Sequence, residues 1–307
     1  MKPILELKNV SKSIGKKKII DDISFTINPG EIFGFLGPNG AGKTTTIKMI
    51  TGLIKIGSGE IFIDGYNVKT DFEKALANVG GIVENPEMYG YMSGMKNLKY
   101  YAKMHGDISK ERIDEVVKLV KLDNRINEKV KRYSLGMRQR LGVAQAILHK
   151  PKLIILDEPT NGLDPMGIKE LRQNLRDLTN EGASVIVSSH LLSEMELMCD
   201  RFCIIDGGKL KDIKSMSDIN AHSKTELSLY SIETDDLNKG LNLINTNFND
   251  VNATISDEKI KLEASKNTIS EINKLLVQND LSVFEISTSV KTLEDEFIEL
   301  TGSKQIR

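Results

Sequence analysis

Two short stretches carry the residue types that phosphate chemistry requires. Gly37-Pro38-Asn39-Gly40-Ala41-Gly42-Lys43-Thr44 fits G-x-x-x-x-G-K-[ST] at every position, with Thr45 following. Its glycines let the backbone turn so that successive N–H groups converge on one centre. A helix starting there aims the positive end of its dipole at the same point. The Lys43 ammonium adds a full charge for the β- and γ-phosphates of a nucleotide, and the Thr44 hydroxyl is a ligand for Mg2+. Further along, Leu153-Ile154-Ile155-Leu156 runs into Asp157-Glu158. A buried strand of that kind delivers two carboxylates at its C-terminal end, where parallel sheets bind ligands. Asp157 is suited to hold Mg2+, directly or through water, and Glu158 to polarise an attacking water as general base. Many strands end in an acid; the pairing with the phosphate loop is what gives this one weight.

The surrounding chain supplies the elements that such a site needs. Ile4–Val10 and Ile19–Ile27 alternate apolar and polar residues and predict antiparallel strands. Glu31–Leu36 is almost wholly apolar and predicts a buried parallel strand leading into the loop, with the helix Lys43–Leu53 after it. Leu153–Leu156 and Ser184–Ser188 predict two more buried strands. Between about Pro86 and Lys150 the period becomes helical, with Ile113, Val116, Val117 and Val120 at i, i+3, i+4 and i+7. The first ~210 residues therefore read as an α/β layer fold interrupted by a helical block.

Near Lys214 glycine becomes scarce and Asn, Ser and Asp rise. Residues 1–214 and 215–307 are accordingly expected to be separate domains. The second reads as strand Thr225–Ile232, helix Asp236–Thr246, a hairpin of Asn252–Ser256 and Lys259–Ala264 about Asp257-Glu258, helix Thr268–Gln278, strand Leu281–Ser287 and a final amphipathic helix Lys291–Leu300. That β-α-β-β-α-β order predicts a small α+β, ferredoxin-like accessory domain.

Bulk properties narrow the functional classes. The 307 residues carry a formal net charge of -1, so there is no basic footprint for a nucleic-acid duplex. No run approaches the ~18 apolar residues of a membrane span, so any membrane spanning falls to other polypeptides. The N-terminal residues alternate rather than forming a signal-peptide core, which places the chain in the cytoplasm. Cys199 and Cys203 imply no disulfide framework. Their spacing fits either a metal half-site on one helix face or a pair of reduced, buried thiols.

With the phosphate loop and Asp157-Glu158 in place, the chain resembles an ATP-binding cassette (ABC) transporter ATPase from Leu5 to about Lys211. The resemblance implies a P-loop NTPase-type nucleotide-binding domain with a RecA-like core, an antiparallel β subdomain and a helical subdomain at about 86–150. Pro159-Thr160-Asn161-Gly162-Leu163-Asp164-Pro165 resembles the family's D-loop, which puts Asp164 at the nucleotide. His190, after Val185-Ile186-Val187-Ser188-Ser189, sits where the switch histidine meets the γ-phosphate. Tyr133-Ser134-Leu135-Gly136-Met137 corresponds to the signature L-S-G-G-Q, which only Ser134 and Gly136 match strictly. Ser134 is a good N-cap for the helix to about His149, and its hydroxyl and the helix N-terminus together form an anion site. In the family that site binds the γ-phosphate held by the opposite subunit, so two copies close head-to-tail on ATP.

Two positions depart from the family pattern. Ile14 stands where an aromatic residue usually stacks on adenine, and Ile14→Tyr is expected to tighten ATP binding. Glu84, in Gly81-Ile82-Val83-Glu84-Asn85-Pro86, replaces the usual Q-loop Gln near Mg2+. It reads either as a metal-site acid or as a solvated loop acid. The E-N-P form, together with the altered signature, resembles the bacitracin and lantibiotic export or immunity subfamily. The Lys291–Leu300 segment resembles the ending of these exporter ATPases. The resemblance implies an ATPase at the cytoplasmic face of the membrane, powering a separately encoded permease. The alternatives are a soluble cassette ATPase acting on ribosomes or DNA, and an exporter of an unrelated substrate. Residues 215–307 also fit a ligand-sensing or dimerisation module that coexists with transport.

Overall fold

The computed structural model describes residues 2–106, 108–190, 192–217, 228–248 and 250–289. They divide into two compact units, one reaching Ser215 and the other starting at Met216. In the first unit the chain runs β1 (Leu5–Ile14), β2 (Lys17–Ile27), β3 (Ile32–Leu36), α1 (Lys43–Ile50), β4 (Ser58–Ile63), β5 (Tyr66–Asn67), α2 (Phe72–Leu76) and β6 (Val79–Ile82). The helical block follows as α3 (Gly94–Met104), α4 (Lys110–Leu119) and α5 (Leu135–Ile147). The chain then returns through β7 (Leu153–Asp157), α6 (Pro165–Asn180), β8 (Ser184–Ser189), α7 (Leu192–Met198), β9 (Arg201–Asp206) and β10 (Lys209–Ser215).

Two sheets result. β2-β1-β4-β5 is antiparallel, as the alternating N-terminal strands require. The other has the order β10-β9-β3-β8-β7-β6, parallel throughout except for β10 at its edge. β3, β7 and β8 are buried at every residue, which explains their apolar runs, Ile32–Leu36, Leu153–Leu156 and Val185–Val187. One core joins the two sheets: Leu5, Leu7 and Ile23 from the antiparallel sheet pack with Phe33, Ile155 and Ile186 from the parallel one. The rings of Phe25 and Phe33 stack across that boundary at 5.5 Å.

The helix after the phosphate loop is shorter than its sequence predicts, ending at Ile50 rather than Leu53. The Thr51 hydroxyl bonds back to the Ile47 carbonyl, and Gly52 turns the chain at φ 70. Together they form the stop that hydrophobicity alone did not reveal. Cys199 and Cys203 do not share a helix: Cys199 follows α7 and Cys203 lies within β9. Both thiols are buried and free, and burial pushes both pKa values well up, so they are packing residues rather than ligands.

The second unit contains β11 (Ser228–Thr234), helix Leu237–Asn247, β12 (Ala253–Ser256), β13 (Lys259–Ala264), helix Lys266–Gln278 and β14 (Val283–Ser289). Its sheet order, β12-β13-β11-β14, is antiparallel throughout. Asp257 and Glu258 both take positive φ, as a two-residue type I′ turn demands. Ile232, Ile244, Ile260 and Ile272 lie at the centre of its own core. Residues 225–227 of the expected first strand and the expected helix Lys291–Leu300 lie outside the described residues.

Candidate nucleotide-binding and catalytic site

The site sits at the carboxyl ends of β3, β8 and β7. Parallel register aligns Leu36 with Ser189 and Asp157 with Ser188, so the residues leaving these strands emerge side by side. The phosphate loop leaves β3. Gly37 has no room for a side chain, since a Cβ there would lie 2.3 Å from the Ile205 carbonyl oxygen. Gly42 caps α1 at φ 111, a conformation open to glycine. α1 has no side-chain cap and no acid in its first turn, so its leading N–H groups and dipole are left for an anion.

Lys43 is 6% exposed. Its ammonium donates to the Gly37 carbonyl at 2.7 Å and lies 3.5 Å from Glu158 Oε1. Burial lowers its pKa, and the neighbouring Glu158 and Asp157 charges oppose that shift. The Thr44 hydroxyl donates to Asp157 Oδ2 at 3.0 Å. On its other side Asp157 accepts from Ser188 Oγ at 2.5 Å. Glu158 turns out of the strand at φ 51, a region seldom used outside glycine and one that clusters at functional sites. Its N–H donates to the Ser188 hydroxyl at 3.0 Å, and its Oε2 lies 2.8 Å from His190 Nδ1. Lys43, Glu158 and His190 thus form one continuous polar chain.

An open cleft of about 350 Å³ lies above them, bordered by the loop from Pro38 to Thr45, Glu158, His190, Ile19 and Asn161. The donor set suits a magnesium nucleotide. Thr44 and Asp157 present hard oxygen ligands, and among the described residues no group of three His, Cys, Asp or Glu is placed to hold a metal ion by itself. A divalent ion here would complete its shell with phosphate oxygens and water, as Mg2+ does.

The remaining expected residues occupy separate places. Ser134 caps α5 by accepting from the Met137 N–H at 3.2 Å, and Asp164 caps α6 by accepting from the Gly167 N–H at 2.8 Å. Those two turns pack together: a Cβ on Gly162 would lie 2.1 Å from Leu135, and one on Gly136 would lie 3.3 Å from Leu163. None of Ser134, Gly136 and Asp164 borders the cleft. Ile14 is 59% exposed at the end of β1, and the aliphatic residue that borders the cleft is Ile19. Glu84 also lies outside the lining and pairs with Lys48 at 2.7 Å. Sequence reasoning missed Ser188, Ile19, Asn161 and Lys48. Only Ser188 had a usable signal, a hydroxyl directly after the apolar run Val185–Val187 and two residues before His190.

Comparison with known proteins identifies the family. The family model described as ABC transporter matches residues 20–161. The chain is 51% identical to the uncharacterized ABC transporter ATP-binding protein YhcH of Bacillus subtilis (strain 168), over 98% of this chain and 97% of that protein. It is 39% identical to the bacitracin transport ATP-binding protein BcrA of Bacillus licheniformis, over 100% of both. A solved ATP-binding subunit of an ABC transporter matches with TM-score 0.66 at 31% identity, covering 72% of this chain and 93% of that one. The chain belongs to the ABC transporter family, as one of its ATP-binding subunits.

Proposed function

We propose that this chain hydrolyses ATP to drive a separately encoded membrane permease, and that the cargo is a peptide antibiotic or a related amphiphile. The observation that carries the reading is Glu158, held between Lys43 and His190 at the rim of the glycine loop. A carboxylate in that position accepts a proton from water attacking a phosphate seated on the loop. Lys43 now shares its charge between Glu158 and the Gly37 carbonyl. Bound phosphates would draw that charge to themselves and leave Glu158 free to act as base. His190 orients the carboxylate. Thr44 and Asp157 would hold Mg2+, whose role is to neutralise charge building on the β- and γ-phosphates. Asn39, Gly40, Ala41 and Thr45 complete the phosphate cradle in this reading, and the family resemblance alone assigns Ile14, outside the cleft lining, to the base.

Ser134, Gly136 and Asp164 stand away from the cleft, which supports their acting on the nucleotide of a second copy in a head-to-tail dimer. No helix among the described residues is long and apolar enough to cross a membrane, so the reading assigns the spanning to a partner and this chain to the cytoplasmic face. The exposed rings of Tyr91 and Tyr100 on the helical block, each in edge contact with Tyr89, offer that partner an apolar landing. Similarity to the bacitracin transport ATP-binding protein along the whole chain supports the cargo class. A drug-susceptibility panel on a deletion strain tests it. Restored resistance to a peptide antibiotic by the wild-type chain, but not by Glu158→Gln, is the expected result. Unchanged susceptibility to every such compound would defeat the cargo assignment.

A further inference from the structure

We propose that Lys48 is a positioning residue that holds Glu84 as a charge-compensated third carboxylate at the rim of the nucleotide site. The inference rests on the ATPase reading above. The parallel pairing of β6 with β7 sets Ile82 beside Leu156. Two residues further on, Glu84 and Glu158 leave their strands at the same level, with Asp157 between Leu156 and Glu158. Three carboxylates therefore leave the carboxyl ends of two neighbouring strands. α1 answers with two cations: Lys43 lies 3.5 Å from Glu158 and Lys48 lies 2.7 Å from Glu84.

Lys48 stands one turn beyond Thr44, so the two share a helix face. Thr44 touches Asp157 at 3.0 Å. Lys48 thus stands about 6 Å along the helix axis from Thr44, whose hydroxyl would meet the metal. Glu84 reaches this place at φ 64, a backbone conformation that a non-glycine residue adopts seldom and chiefly where something holds it. The side chains are 33% and 59% exposed, so the pair contributes little to folding. Its consequence is electrostatic. With Lys48 in place, the pair beside the site, outside the cleft lining, is neutral overall. Without Lys48, Glu84 presents a bare anion, which repels metal-free ATP and attracts a divalent cation.

The test is equilibrium binding of a fluorescent ATP analogue to the full chain, first with excess chelator and then along a Mg2+ titration. Lys48→Met is expected to weaken metal-free binding about threefold to fivefold and to lower the Mg2+ concentration that restores it. Glu84→Gln in the Lys48→Met background is expected to reverse both changes. Lys48→Met effects that persist unaltered when Glu84 is replaced, or no change in metal-free binding on loss of Lys48, would overturn the proposal while leaving the ATPase reading standing. Failure of the wild-type chain to bind the analogue in either condition would overturn the ATPase reading and this proposal with it.

Discussion

Ser188→Ala gives the strongest check on how the site is held together. Ser188 is fully buried; its hydroxyl donates to Asp157 Oδ1 at 2.5 Å and accepts from the Glu158 N–H at 3.0 Å. The first bond ends on a carboxylate that is 1% exposed, so its loss costs about 1.5–3 kcal/mol. The second costs less, because the Glu158 N–H retains the Ser188 carbonyl at 3.2 Å and is not orphaned. A unit of this size loses about 2–4 °C of melting temperature per kcal/mol, so a drop of roughly 3–12 °C is expected. The assay is thermal unfolding of the nucleotide-free chain with a chelator present, which removes any metal contribution. Ser184→Ala serves as the control: Ser184 is equally buried, but its hydroxyl accepts only the neutral Gly30 N–H, at 2.9 Å. A Ser188→Ala drop no larger than that of Ser184→Ala would refute the view that Ser188 anchors Asp157.

Two further predictions concern pH and the nucleobase. His149 bonds the Val79 carbonyl at 3.1 Å, stacks on His105 at 4.1 Å and has its Nδ1 buried without a partner. Burial first, then His105 and Arg112, hold its pKa below 6.5, while the bond to the Val79 carbonyl opposes them. The unfolded chain therefore takes up a proton before the folded one does. The associated stability is present above pH 6.5 and is lost as pH falls toward the lowered folded value. Denaturant unfolding between about pH 7.5 and 5.5 should show a shallower loss for His149→Gln than for the wild type; equal slopes would remove His149 from the account. Ile14→Tyr, at the exposed end of β1 and outside the cleft lining, tests the family analogy for the base: a ring that reaches the nucleobase is expected to tighten ATP binding about threefold to tenfold by titration. Unchanged or weaker affinity would mean that Ile14 does not face the base.

The strand and helix pattern was legible because both sheets obey simple composition rules. Buried parallel strands such as β7 are apolar up to the residue that enters the site, and the N-terminal strands alternate. The phosphate loop was legible because glycine, lysine and threonine occur at fixed spacing for backbone reasons local to that turn. Partnerships across the sheet were not legible. Ser188 meets Asp157 only through strand register, and Lys48 meets Glu84 only because α1 passes beside the end of β6. Ile14 illustrates a limit of family analogy, since the side chain that borders the cleft belongs to Ile19, across the β1–β2 turn. The stop of α1 was hidden in the same way, depending on a Thr51 hydroxyl turned back on the helix and on the left-handed Gly52.

The central claim is that Glu158 is the base at an ATP site built on Lys43 and the glycine loop. Its most direct test measures ATP binding and single-turnover hydrolysis side by side for the wild type and Glu158→Gln. Glutamine keeps the shape but does not take the proton. Binding should be retained, while hydrolysis falls by about a hundredfold or more. Hydrolysis by Glu158→Gln near the wild-type rate, or loss of binding as large as the loss of turnover, would contradict the account.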